Sequence, residues 1–219
     1  MNPTEIPGVY QRKDKLYTKN PDQCTGTKVY NEQLITDNDT EYRSWNPFRS
    51  KLAAAILKGL AITIQQDSQV LYLGAATGTT VSHLSDILTS GAIYAVETSP
   101  IAMSNLLNVS KTRPNIIPIL ANANHPERYN SIVPPVDLIY QDISQRNQAD
   151  IFTRNITHYL KKQGTGIIMV KARSIDVALK PKQAYELVCT HLQTNKLRIK
   201  KPLELTPYEK DHAAILATF

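Results

Sequence analysis

Short apolar runs recur along the middle of the chain at Val70–Leu73, Ala92–Val96, Ile116–Leu120, Val136–Tyr140 and Gly166–Val170. They show little alternation of polar and apolar positions, so they read as strands buried on both faces. Longer mixed stretches near 79–88, 100–111, 145–160 and 181–193 read as helices. Strands alternating with helices predict βαβ units, hence an α/β fold with a mostly parallel sheet covered by helices. The two ends depart from this rhythm. Residues 1–45 carry short alternations such as Gly8-Val9-Tyr10, with turn signals at Asn20-Pro21-Asp22 and Asp37-Asn38-Asp39. They predict a small N-terminal β domain, leaving 46–219 as the α/β domain. Asn46 followed by Pro47 predicts a helix capped at Asn46. Leu197–Leu205 and His212–Phe219 are both strand-like, with no helix between them. They predict an antiparallel hairpin on one sheet edge.

Composition narrows the class. A chain of 219 residues, 42% hydrophobic and 20% charged, can bury a core without covalent staples. Cys24 and Cys189 are too few for a disulfide framework and lack metal-ligand spacing, so no metal site is expected. No apolar run is long enough to span a bilayer, and Met1–Gly8 lacks a signal pattern. The net charge of +6 matters less than its placement. Residues 161–201 hold ten Lys or Arg against only Asp176 and Glu186. A segregated basic stretch of this kind suits a phosphate-rich partner.

The segment Val70-Leu71-Tyr72-Leu73-Gly74-Ala75-Ala76-Thr77-Gly78-Thr79-Thr80-Val81 runs from a buried strand through a glycine turn into a helix. Gly74 and Gly78 permit a tight turn and close ligand approach, and the helix start offers free N–H groups. The next strand ends at Glu97, placed to hold a ribose diol. The loop lacks the middle glycine of a dinucleotide fingerprint and has no Gly-Lys-Ser/Thr. Those absences disfavour a nicotinamide oxidoreductase and a Walker-type site. They favour S-adenosyl-L-methionine, which has an adenosine but no pyrophosphate.

Several segments are more specific. Trp45-Asn46-Pro47-Phe48-Arg49-Ser50-Lys51-Leu52-Ala53-Ala54-Ala55-Ile56, the loop above continued through Ser82-His83, Tyr94-Ala95-Val96-Glu97, Asn115-Ile116-Ile117-Pro118, Val170-Lys171-Ala172-Arg173-Ser174-Ile175-Asp176 and Pro207-Tyr208-Glu209-Lys210-Asp211-His212-Ala213 occur in this order. Together they resemble the fibrillarin family of RNA 2′-O-methyltransferases over nearly the whole chain. The resemblance implies a Rossmann-like methyltransferase fold, with a seven-stranded, mostly parallel sheet and an antiparallel edge hairpin, preceded by the small β domain. It also implies S-adenosyl-L-methionine contacts from Gly74, Ala75, Gly78, Thr79, Thr80, Glu97, Thr98, Asn122, Ala123, Asp142 and Gln145. The family pattern has Asp where this chain has Asn122, and often an aromatic in place of Thr98. Asn122 can accept from the adenine amino group through its carbonyl but without charge, which predicts somewhat weaker cofactor binding.

Methyl transfer to a ribose 2′-hydroxyl needs an aligned donor, removal of the hydroxyl proton and a fixed backbone. Lys51, Asp142, Lys171 and His212 resemble the family's catalytic quartet. Lys171 is the expected group for taking or orienting the proton, with the charge of Lys51 beside it favouring the neutral amine. Asp142 would orient the ammonium, and His212 would position Lys171 or the ribose. Arg49, Arg173 and Lys180 are candidate RNA phosphate contacts. The chain shows no RNA-reading module of its own. The resemblance therefore implies a box C/D guide RNA paired with rRNA or tRNA, a Nop-domain scaffold protein and a kink-turn-binding ribosomal-type protein. The location implied is cytoplasmic in an archaeon and nucleolar in a eukaryote. Two other readings stay open: a non-catalytic assembly subunit of the same particle, and a methyltransferase acting on a histone glutamine.

Overall fold

The computed structural model describes residues 1–219. The N-terminal strands β1 (Asn2–Pro3), β2 (Val9–Arg12), β3 (Lys15–Lys19), β4 (Leu34–Asp37) and β5 (Thr40–Trp45) form an antiparallel sheet in the order β1-β2-β3-β5-β4. Helix α1 (Lys51–Leu57) follows. Alternation then begins, with β6 (Gln69–Leu73), α2 (Thr79–Ile87), β7 (Ala92–Glu97), α3 (Pro100–Ser110) and β8 (Ile116–Leu120). It continues through β9 (Val136–Gln141), α4 (Gln148–Tyr159), β10 (Leu160–Lys171), the single turn α5 (Ala172–Ile175) and α6 (Pro181–Thr194). The short strands β11 (Arg198–Ile199) and β12 (Leu203–Glu204) and the long β13 (His212–Thr218) close the chain.

The second sheet runs β11-β13-β10-β9-β6-β7-β8, with β12 also paired to β13. The pairs from β10 through β8 are parallel, and β13 is antiparallel to β10. The expected α/β class, its five buried strands and the antiparallel edge are all present. Two expectations are corrected. The single strand read over Leu197–Leu205 is two fragments, because the chain leaves the sheet at Lys200-Lys201-Pro202 and proline has no N–H for the ladder. The first helix begins at Lys51, not after Asn46. The Asn46 side-chain oxygen accepts from the N–H of Phe48 (2.9 Å), and its backbone carbonyl accepts from the N–H of Arg49 (3.0 Å), which closes a turn over 46–49. Ser50 is the cap, accepting from the N–H of Ala53 (3.3 Å). Its hydroxyl also accepts from that of Thr80 (2.9 Å), a tertiary contact that Asn46 does not have.

Two apolar layers flank the second sheet. One packs Leu73, Val96 and Ile139 against Phe152 and Ile156 of α4 and Val188 of α6. The other packs Val70 and Tyr72 under Val81, Leu84 and Ile87 of α2, and it takes in Ile6, Val9, Leu16 and Trp45 of the first sheet. The two sheets thus share a core, so the small sheet is fixed rather than tethered. A buried polar cluster joins them. Arg43 on β5 pairs with Asp86 on α2 and with Glu32, each at 2.6 Å.

Candidate active site

In an open α/β sheet the ligand crevice forms beyond the carboxyl ends of the strands, where the strand order reverses. Here that point lies at β6, which leads to β7 and β8 on one side and to β9 on the other. A cavity of about 270 Å³ opens there, walled by the loops after β6, β7, β8 and β9. Gly74, Glu97, Thr98, Asn122, Ala123, Asp142 and Gln145 all line it.

Gly74 has φ +84°, and a Cβ there would lie 2.5 Å from the carbonyl oxygen of Asp142. Only glycine lets the β6 loop lie against the end of β9, where the Asp142 N–H donates to the Leu73 carbonyl (2.9 Å). Glu97 is held by three backbone N–H groups, those of Ala76, Thr98 and Ser99, each at 2.8 Å. Its carboxylate is fixed at the cavity wall, and lone pairs remain for further donors. The carbonyl oxygen of Asn122 accepts from both the backbone N–H and the side-chain amide of Asn124, each at 3.0 Å. Asn122 thus lines the cavity with its side-chain oxygen bonded to Asn124.

The other four residues expected to contact the cofactor are not in this cavity's lining. Ala75 is buried, and its N–H donates to Val96. Gly78 caps α2 at φ +92°, where a Cβ would press on Leu106 of α3. Thr80 is buried against Ser50. Thr79 lines a separate polar cavity together with Arg49 and Asn105. The turn thus shapes the loop, and the loop presents Gly74 and Ala76. Ala76, Asn124, Ile143 and Ser144 line the cavity and were not anticipated. Their one signal is position, since each lies just beyond the carboxyl end of a central strand.

Beside the cavity, Asp142 pairs with Lys51 at 2.9 Å, each side chain about one-fifth exposed. Asp142 therefore holds Lys51 rather than Lys171. The charge of Lys51 is met by a carboxylate and is not a free cation facing Lys171. Lys171 ends β10 directly opposite His212, the first residue of β13. Antiparallel pairing puts neighbours of this kind on one sheet face. His212 Nδ1 lies 2.7 Å from the Lys210 carbonyl, which can only accept, so Nδ1 carries the proton and Nε2 presents a lone pair. Burial, helped by the charge of Lys51, holds the His212 pKa below its ordinary value, against the pull of the Lys210 carbonyl, Glu209 and Asp142. The ring is neutral near pH 7.

Among the candidate phosphate contacts, Arg49 is exposed and lies over the Tyr30 ring at 5.8 Å. Arg173 is exposed but pairs with Asp211 at 2.7 Å. Lys180 is exposed at the start of α6.

The family model for fibrillarin matches residues 1–219. The chain belongs to the fibrillarin family. Among fibrillarin relatives, the fibrillarin-like rRNA/tRNA 2′-O-methyltransferase of Methanosarcina barkeri is 46% identical over 212 residues, 95% of this chain and 93% of that one. The protein of the same description from Methanocaldococcus jannaschii is 49% identical over 188 residues, 85% of this chain and 82% of that one. Two solved fibrillarin structures are close in shape. A fibrillarin in complex with Nop5p superposes with a TM-score of 0.89 at 45% identity, covering 97% of this chain and 98% of that one. An Aeropyrum pernix fibrillarin with natively bound S-adenosyl-L-methionine gives 0.85 at 43% identity, covering 96% and 93%. More distant S-adenosylmethionine-dependent methyltransferases, near 15% identity, share the fold alone.

Proposed function

We propose that this chain is an S-adenosyl-L-methionine-dependent RNA ribose 2′-O-methyltransferase, the catalytic subunit of a box C/D guide-RNA ribonucleoprotein acting on pre-rRNA and tRNA. One observation carries the reading: the Lys51–Asp142 pair stands beside the cavity, on the rim where Lys171 and His212 face each other, in a chain matched along its whole length by fibrillarin.

The residues present fit the cofactor. Glu97 offers a fixed carboxylate to a ribose diol. Val96, Ala123, Ile143 and Ile151 give the cavity an apolar lining suited to an adenine ring. The Asp142 carboxylate lies where a cationic centre would be stabilised. Bound there, S-adenosyl-L-methionine supplies a methyl group that needs no further activation. The chain supplies the rest. Asp142 and Lys51 hold each other rigid at the cavity edge. Lys171 takes or orients the 2′-hydroxyl proton. His212, neutral and bare at Nε2, steadies Lys171 or the ribose by accepting a hydrogen bond.

Targets are chosen by a paired guide RNA delivered on a Nop-domain scaffold and a kink-turn-binding ribosomal-type protein. The particle works in the cytoplasm of an archaeal cell, in keeping with the sources of its relatives.

The test is calorimetric binding of S-adenosyl-L-methionine, then methyl transfer by the chain assembled with guide RNA and partners. Transfer to the guided ribose is expected, and none to a 2′-deoxy target at that position. An assembled particle that binds cofactor but transfers nothing would mark the chain as an assembly subunit.

A further inference from the structure

A second cavity, of about 260 Å³, lies against the same rim and takes no part in the chemistry above. Trp45, Phe48, Tyr208, Leu16 and Pro47 form its apolar lining, and Gln33 and Asn46 stand at its polar edge. Phe48 is 61% exposed, unusual for a phenylalanine, and meets the Tyr208 ring edge-on with centroids 5.3 Å apart. Trp45 is only 1% exposed, yet its indole N–H has no acceptor. A buried, unpaired donor is costly, and this one belongs to a residue that lines the cavity.

The position restricts the ligand. Phe48 comes three residues before Lys51 and Tyr208 four before His212. At most about 14 Å of chain separates either wall from a catalytic residue. A few nucleotides of one RNA strand span that distance. Lys15 and Asp14 also line the cavity, and the exposed Arg49 follows Phe48 directly. Flat aromatic walls, a buried N–H donor and amide groups at the rim are how proteins hold an unstacked base, through its faces and its edge.

We propose that this cavity is a nucleobase subsite, which receives an unstacked base of the methylated RNA strand within a few nucleotides of the target ribose. The proposal rests on the RNA methyltransferase reading above. It gives the chain a grip on its substrate strand that does not depend on the guide.

Trp45 is the chain's only tryptophan, so its fluorescence reports on this cavity and on the His83 ring stacked behind it. The experiment titrates the full chain with a single-stranded RNA oligonucleotide, reading Trp45 emission together with RNA binding by anisotropy. Cofactor binding is measured in parallel by calorimetry. Saturable quenching of Trp45 that tracks RNA binding is expected. Phe48→Ala and Tyr208→Ala should each weaken RNA binding about tenfold, as loss of one stacking surface predicts, with cofactor binding unchanged. Phe48→Leu keeps the bulk but not the ring, so it should weaken RNA binding as Ala does; rescue by Leu would mean a packing role and overturn the proposal. RNA that binds without altering Trp45 emission overturns the subsite while leaving the methyltransferase reading intact, and so does a chain that binds cofactor but no RNA. A chain that binds neither fails both. If a Nop-domain partner shifts Trp45 emission and RNA does not, the cavity is a protein contact and the proposal falls.

Discussion

The side-chain oxygen of Asn122 accepts two hydrogen bonds from Asn124, which leaves its amide NH₂ without a bond inside the chain. A base amino group brought there meets a donor, whereas a carboxylate would keep one oxygen on Asn124 and offer the other. Asn122→Asp should therefore bind S-adenosyl-L-methionine about tenfold more tightly, the worth of one charge-assisted bond; calorimetry on the two proteins decides it, and equal affinities would mean that position 122 does not meet the base. Lys171 raises the opposite question, since it makes no ion pair within the chain and is half-buried opposite His212. Lys171→Ala should lower the transfer rate by about 10²–10⁴, the usual contribution of a positioned acid or base, with cofactor affinity unchanged because Lys171 does not line the cofactor cavity. Near-normal transfer by the variant would remove Lys171 from the mechanism. Neither role could be settled from sequence. The residue types were legible, but which atom each presents depends on Asn124 and Asp142, neighbours that only the fold supplies.

At the scale of elements, the central strands were the most legible part of the chain. Burial on both faces makes their sequences uniformly apolar, and β6, β7, β8 and β9 lie within a residue of where they were read. The start of α1 was less legible. Asn46-Pro47 satisfies the local rules for a helix start, but Ser50 satisfies them too and has Thr80 to bond. Local pattern cannot choose between two adequate caps, and a tertiary contact can. Thr80 shows the same gap: the glycine-loop pattern does not announce that its hydroxyl donates to Ser50. Ser50→Ala removes both the cap and the acceptor for a buried hydroxyl, and should cost about 1–2 kcal/mol in chemical denaturation. Asn46→Ala should cost less, since its bond lies in an exposed turn. A larger loss for Asn46→Ala would restore the helix to the earlier start. The residues lining the cofactor cavity were legible where a side chain does the work, as with Glu97 and Asp142. Ala76 and Ser144 were not, because a small residue on a loop carries no chemical signature.

The whole molecule is held at the junction between its two sheets, and that junction sets its response to acid. His83 on α2 is fully buried there. Its Nδ1 meets the Thr18 hydroxyl at 2.7 Å, its Nε2 meets the Tyr30 hydroxyl at 2.8 Å, and its ring stacks on Trp45 with centroids 5.0 Å apart. Burial first, then the charges of Arg43 and Arg113, hold its pKa well below 6.5. His212 is depressed in the same sense. The unfolded chain therefore takes up more protons than the folded one as pH falls through 6.5, and stability is lost across that window. The carboxylates act at lower pH. Burial resists the charge on Glu32, but Arg43 and the backbone N–H groups of Tyr30 and Val29 hold its pKa below 4.5, so it adds to the loss only below that value. Asp86 has the opposite sign, raised above 3.8 by burial against the pull of Arg43 and Arg113. The thermal midpoint should thus fall between about pH 7 and pH 5, before the carboxylates titrate. His83→Phe keeps a ring against Trp45 and removes the titrating group. It should lower the midpoint at pH 7 by breaking two hydrogen bonds, yet flatten the decline toward pH 5. Scanning calorimetry across that range separates the two effects, and a decline as steep in the variant as in the natural chain would place the acid sensitivity outside this junction.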